Sequence, residues 1–188
     1  MKKYVIISIL ILILNSCTTF SRRMIKDDLS VITKDNVSEI DGEYEFNGYE
    51  HVNAGNKKSQ ETRNFAGMIA VKNSKVADCD KIVIRSKALE KRKTYQLEFK
   101  LLKDDYVKYS FTYNGTLKNG LLTLSNYTSK CHGIPFLFGG CESFQSRIGL
   151  TRHKNLLIQD YYDNSGAALF VMWAGYTINY AEKYQKIQ

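Results

Sequence analysis

The chain of 188 residues contains one proline and one tryptophan. Its longest greasy stretch, residues 4–14, covers only 11 residues. A bilayer-spanning helix needs about 20, so this stretch is too short to be a permanent helical anchor. No proline- or glycine-rich linker divides the sequence, and no segment recurs at a fixed period, so a single domain is expected. There is no C-x-x-C and no paired histidine spacing, which leaves no ligand set for a metal ion and no cofactor to assign. G-x-S-x-G, H-E-x-x-H and a phosphate-cradling glycine loop are also missing. Histidines number three. Only Cys131-His132 places a nucleophile beside a base, and neighbours on a strand point to opposite faces. His51 and His153 fall in predicted loop or turn, and Asp160 and Asp163 read as turn chemistry. No catalytic residue is assigned, and an enzyme is not expected.

Acidic residues are the scarcer charge, 19 against 27 Lys and Arg, for a net charge of +8. The densest basic cluster is Arg85, Lys87, Lys91, Arg92 and Lys93, interrupted by Glu90. It reads as a solvated turn with its flanking strand ends rather than a contact for a polyanion.

The first residues are informative. Lys2 and Lys3 precede the apolar stretch, and Asn15, Ser16 and Cys17 follow it. A basic region, a short apolar region and a small-residue site make up a secretory signal peptide. The stretch Leu14-Asn15-Ser16-Cys17 resembles the lipobox of bacterial lipoproteins. The resemblance implies cleavage before Cys17 and acylation of that cysteine, so that the membrane is a partner through a lipid anchor. Stable anchoring takes more than one acyl chain, and the family carries several. Thr18 is not the acidic inner-membrane retention signal known in some bacteria, which points to the outer membrane of the cell envelope. Removing residues 1–16 from 188 leaves 172, and losing Lys2 and Lys3 lowers the charge from +8 to +6. Nucleic acid is a poor partner for such an exported chain. The expected organisation is a signal peptide (1–16), a polar lipidated tether (17–40) with a helical turn around 24–32, and one domain (41–188).

Three cysteines remain: Cys79, Cys131 and Cys141. Export favours disulfides. Cys131 and Cys141 flank the glycine-rich segment 132–140, and a bridge between them would pin that loop. Cys79 then stays free, or pairs instead with one of the two.

From Asp41 onward the hydrophobic period is two. With 13 Tyr and 9 Phe, the composition suits pleated surfaces. Tyr95, Leu97, Phe99 and Leu101 alternate with polar residues. After a turn at Lys103-Asp104-Asp105, so do Val107, Tyr109, Phe111 and Tyr113, which predicts a β-hairpin. Asn119-Gly120 predicts a tight turn and Asn114-Gly115 a bulge. Residues 47–64 read as a loop and 65–71 as a strand. Farther on, strands are predicted at 144–151, 156–162 and 167–173, with turns at 152–155 and 163–166. About nine strands result, with no amphipathic helix of ten or more residues.

A meander of hairpins with one apolar face closes on itself or splits into a sandwich. Gly42-x-Tyr44 opening the first strand, a long loop after it and the run of hairpins resemble lipocalin-like proteins. The fold class expected is therefore all-β, a single antiparallel up-and-down barrel of eight to nine strands, with a β-sandwich as the other architecture. The resemblance implies a small apolar ligand, such as a lipid or fatty acyl group. Tyr95, Leu97, Phe99, Tyr109, Phe111 and Tyr113 would line its site, or else fill the core. The other functional reading is an interaction lipoprotein docking on an envelope protein complex. Its patch would be the apolar run Ile134, Pro135, Phe136, Leu137 and Phe138 between Cys131 and Cys141.

Replacing Cys17 by Ser should yield a chain without acyl groups that leaves the membrane fraction. Mass spectrometry of the purified protein checks this, and a Cys17→Ser chain that is still acylated would sink the anchor reading.

Overall fold

A computed structural model describes residues 20–53, 55, 57–134, 138–168 and 172–187. Cys17, the signal peptide and 135–137 of the apolar run lie outside the described residues. Among the described residues no helix is long and apolar enough to cross a membrane.

Alternation builds the strands: β1 (Leu29–Ser30), β2 (Gly42–Glu45), β3 (Glu50–Val52), β4 (Lys58–Ser59), β5 (Lys81–Ala88), β6 (Thr94–Lys103), β7 (Tyr106–Lys118), β8 (Leu121–Leu124), β9 (Thr128–Ile134), β10 (Phe138–Thr151), β11 (Leu156–Ala168) and β12 (Met172–Tyr184). All twelve join one antiparallel sheet in the order β2-β5-β6-β7-β8-β10-β11-β12-β3-β4, with β1 and β9 also pairing β10. The all-β, antiparallel expectation is met. The closed barrel is not, because the strand path is open and runs from β2 to β4. Its two halves meet at one antiparallel bridge, Tyr44 opposite Lys186. There Glu45 N–H donates to the Gln185 carbonyl (2.9 Å) and Ile187 N–H to the Glu43 carbonyl (2.8 Å).

Turn chemistry sets the hairpins. Asp104 (φ 49°) and Asp105 (φ 62°) turn β6 into β7, and Asn119 (φ 56°) and Gly120 (φ 82°) turn β7 into β8. These left-handed pairs match the twist of the strands they join. The bulge expected at Asn114-Gly115 is elsewhere. The ladder runs unbroken through both residues and shifts register between Leu101 and Leu102, leaving Lys108 as the extra residue. Leu101 and Leu102 are both buried at this point. A Cβ at Gly115 would come within 3.2 Å of Leu97 and 3.3 Å of Leu122, so the glycine serves close packing.

Two further expectations are corrected. Residues 65–71 do not form a strand. Phe65–Met68 is one helical turn, α1, capped by Asn64, whose side chain accepts from the Gly67 N–H at 2.8 Å. Cap chemistry at Asn64 wins over a short apolar run. Residues 163–166 do not turn either. β11 passes straight through them to Ala168, paired on both sides by β10 and β12. Asp163 and Ser165 bond each other, and Asp163 also accepts from Thr177 on β12. The polar cluster therefore decorates a strand instead of breaking it.

The main core runs along the inner face: Tyr44, Phe46, Ile82, Ile84, Leu97, Phe99, Leu122, Ile148, Leu156, Ile158 and Tyr184 are buried there, with Phe65 and Met68 of α1. A second core lies on the other face of β10–β12, where Met24 and Ile25 cover Leu121, Leu157 and Ala181. Residues 20–40, read from the sequence as tether, thus belong to the folded unit. Ile25, Ile32, Val37 and Ile40 are buried. Buried Lys183 pairs with both Asp28 and Glu50, and Gln159 Nε2 donates to the Ser21 carbonyl at 2.7 Å. The structure also joins Cys131 to Cys141, opposite each other on β9 and β10, and leaves Cys79 a buried free thiol.

Because Ile25 is core, Ile25→Ala should lower unfolding stability by about 2–4 kcal/mol in a denaturant titration. A free tether would show no change.

Candidate functional site

The β6–β7 register brings the six aromatic and aliphatic residues together. Leu97 faces Tyr113, Phe99 faces Phe111, and Tyr95 lies opposite Gly115. Phe99 and Phe111 stack at 5.1 Å between ring centroids, and Phe111 touches Tyr113 (5.4 Å) and Tyr109 (5.6 Å). The row divides by exposure. Tyr95, Leu97 and Phe99 are buried and fill the core. Tyr109, Phe111 and Tyr113 are only partly buried and pack against it. Burial raises the Tyr113 phenol pKa, and Tyr109 adds to the effect. On α1, Phe65 bridges inward, 5.6 Å from Phe99 and 5.9 Å from Tyr184.

Tyr184 opens a polar row on the same inner face. Along β10–β12 the registers are Ile148–Ile158–Glu182 and then Ser146–Asp160–Tyr180. Asp160 and Glu182 are both fully buried. Glu182 has partners: His51 Nδ1 lies 2.7 Å from Oε2, and the Arg63 backbone N–H donates to Oε1 at 3.0 Å. Burial raises its pKa, and these contacts oppose the rise. A Cβ on Gly48 would fall 2.7 Å from Oε1, so the glycine makes room for this carboxyl.

Asp160 is different. By strict geometry neither carboxylate oxygen has a hydrogen-bond partner among the described residues, although the Ser146 and Tyr180 hydroxyls act on it as donors. Burial pushes its pKa up to about 8. The Ser146 and Tyr180 hydroxyls and the Arg63 charge pull it down, and Glu182 adds to the rise. Ser146 Oγ accepts from Asn126 Nδ2 at 2.9 Å, which leaves its own proton to point at Asp160. Tyr180 is pushed up to about 12, first by burial and then by Asp160, and the Arg63 guanidinium sits 4.6 Å above its ring. A carboxyl of this kind is largely protonated at neutral pH. It can donate a hydrogen bond to a polar group beside it and accept one when ionised.

The polar row escaped the sequence reading. Asp160 was assigned to turn chemistry and His51 to a solvated loop, whereas Asp160 is on β11 and His51 on β3. The signal was present: Leu156, Ile158 and Asp160 share one period-two row, which puts Asp160 on the core face. Cys131 is bridged, so Cys131-His132 holds no free thiol. Among the described residues no group of three or more His, Cys, Asp or Glu is placed to hold a metal ion. Cavities of about 640, 610, 360 and 230 Å³ open elsewhere, and none of these four is lined by the six predicted residues.

Neither family models, nor curated proteins, nor solved structures give a match to this chain.

The raised Asp160 pKa fixes a sign. The folded protein keeps a proton that the unfolded chain releases, over a window from about pH 4 to about pH 8. The corresponding stability is fully present below about pH 4 and is lost as pH rises toward 8. Thermal melts at pH 5 and pH 9 should differ by an amount of order a few kcal/mol. Asp160→Asn should shrink that difference, and an unchanged difference would place the titration on another group.

Proposed function

We propose that this is a lipid-anchored protein of the bacterial cell envelope, tethered through Cys17, that binds a small apolar ligand on the inner face of its sheet without catalysis. One observation carries the reading. Partly buried Tyr109, Phe111 and Tyr113 share a face with Asp160, a buried carboxyl with no ion pair among the described residues and only the Ser146 and Tyr180 hydroxyls acting on it. An unpaired buried carboxyl costs several kcal/mol unless something bonds to it. A ligand with an apolar body and one hydrogen-bonding end satisfies both features. The body lies on the aromatic row and the polar end reaches the carboxyl. The Tyr44–Lys186 bridge supports a barrel-like interior for such a ligand, because it brings β2, at one end of the strand path, against the segment that follows β12.

A second reading, docking on an envelope protein partner, draws on the far end of the sheet. The ladder pairs of β9 with β10 and of β11 with β12 set both hairpin ends there. Met172, Tyr176 and Ile178 are exposed on β12. Sensitivity of partner capture to Met172→Glu, with the inner face unaltered, is the mark of this reading.

Native mass spectrometry of the lipidated protein from its own membranes, with organic extraction alongside, tests the first reading. A bound small molecule should be present and should be lost in Phe111→Ala. Protein that emerges empty overturns it.

A further inference from the structure

A groove of about 360 Å³ lies where the N-terminal segment crosses the outer face of the sheet. Arg22, Lys118 and Arg147 line it together with Phe20, Thr123 and Gln145, and no carboxylate does. The other large cavities mix the two signs: Lys103 and Lys108 share theirs with Asp78, and Arg23 and Lys183 share theirs with Asp27, Asp28 and Glu50. Here, three cations converge without an acid.

Arg147 is the unusual member. It is buried, yet its Nε and Nη2 both donate to a neutral acceptor, Gln159 Oε1, at 2.9 and 2.6 Å. Its Nη1 makes no hydrogen bond to a described residue. The Phe20 ring covers the guanidinium at 4.5 Å. Burial and the Arg22 charge lower its pKa to about 10. Arg22 donates only to the Asn119 carbonyl, at 2.8 Å, and Lys118 has no ion pair with a described residue. A buried guanidinium is normally held by a carboxylate, because desolvating an unpaired charge costs several kcal/mol. Its lining, charge and polar donors suit a tetrahedral oxyanion, which arginine binds through paired, charge-assisted hydrogen bonds.

We infer that the groove between Arg22, Lys118 and Arg147 is a binding site for a phosphate group, with Thr123 and Gln145 as further polar contacts. The phosphate is that of an anionic lipid headgroup or of a free phosphate compound, and the site is independent of the apolar-ligand reading. Phe20 is three residues beyond Cys17, a reach of about 10 Å. A lipidated chain would therefore hold the groove near the headgroup layer.

The test uses the full chain in dodecylmaltoside micelles and isothermal titration calorimetry. The probes are inorganic phosphate, dioctanoyl phosphatidylglycerol and phosphate-free dioctanoylglycerol. Saturable binding of a phosphate-bearing probe is expected, about tenfold weaker in Arg22→Gln and in Lys118→Gln. Both side chains are exposed, so the two variants should keep the circular dichroism and melting temperature of the parent, whereas Arg147→Gln alone risks unfolding. Comparable binding of inorganic phosphate supports a free phosphate compound as the source. Binding of phosphatidylglycerol alone supports the headgroup. Absence of saturable binding, affinity unchanged in both exposed variants, or equal binding of dioctanoylglycerol overturns the site.

Discussion

Where β10, β11 and β12 pair around Ile148, Ile158 and Glu182, side chains leave the strands in two directions and are buried on both sides. Ile148, Leu156, Ile158 and Tyr184 point to the main core, and Leu157 and Ala181 point to the second one. A sheet with apolar side chains on both faces is unstable unless something covers its outer face. The chain uses its own residues 20–28 for this purpose, with Met24 and Ile25 as the apolar contacts. Gln159 reaches the Ser21 backbone, Asn179 Oδ1 accepts the Ser21 N–H at 2.9 Å, and Lys183 draws in Asp28. Without that cover, Arg147 and Lys183 would be ordinary solvated cations.

The same strands sort charge by face. Asp160 points inward and Gln159 outward. Glu182 points inward and Lys183 outward, as do Ser146 and Arg147 in turn. Acidic and hydroxyl groups thus gather inside, while basic groups gather beneath the N-terminal segment. Two of these charges are well paired, Glu182 by His51 and Lys183 by Asp28 and Glu50. Two buried groups are not: Asp160 has only hydroxyls beside it and no ion pair among the described residues, and Arg147 has only a neutral amide. Buried polar groups are almost always satisfied, so the exceptions mark where the molecule has capacity left over. One faces an aromatic row and the other a groove free of carboxylates, which gives the two places different ligand chemistry.

Much of the fold was legible. The β6–β7 hairpin, the turns at Asp104-Asp105 and Asn119-Gly120, and the single inner row Tyr95–Leu97–Phe99 with Tyr109–Phe111–Tyr113 all follow from a period of two and from dipeptides that accept positive φ. Elsewhere local composition was overruled by the surroundings. Asp163, Asn164, Ser165 and Gly166 have turn composition, but β10 and β12 flank them with full ladders, and pairing on both sides outweighs local preference. Phe65–Met68 has strand composition, but the Asn64 cap and burial against Phe99 and Tyr184 make it a helical turn. Residues 20–40 look polar, yet their few apolar side chains are the ones that dock. Asp160 was passed over because an acidic residue beside a predicted turn is usually solvent chemistry.

The sequence by itself determined the strand period, the tight turns and which residues share the inner aromatic face. These depend on sterics between near neighbours and on alternation along one strand, both of which are local. The tertiary structure alone decided that the sheet stays open apart from one bridge at Tyr44, that residues 20–28 cover its outer face, and that Asp160 and Arg147 are buried without ionic partners among the described residues. Those outcomes rest on contacts between residues more than a hundred positions apart, such as Gln159 with Ser21 and Glu182 with His51. Burial of a charge depends on everything packed around it, which no window of sequence contains.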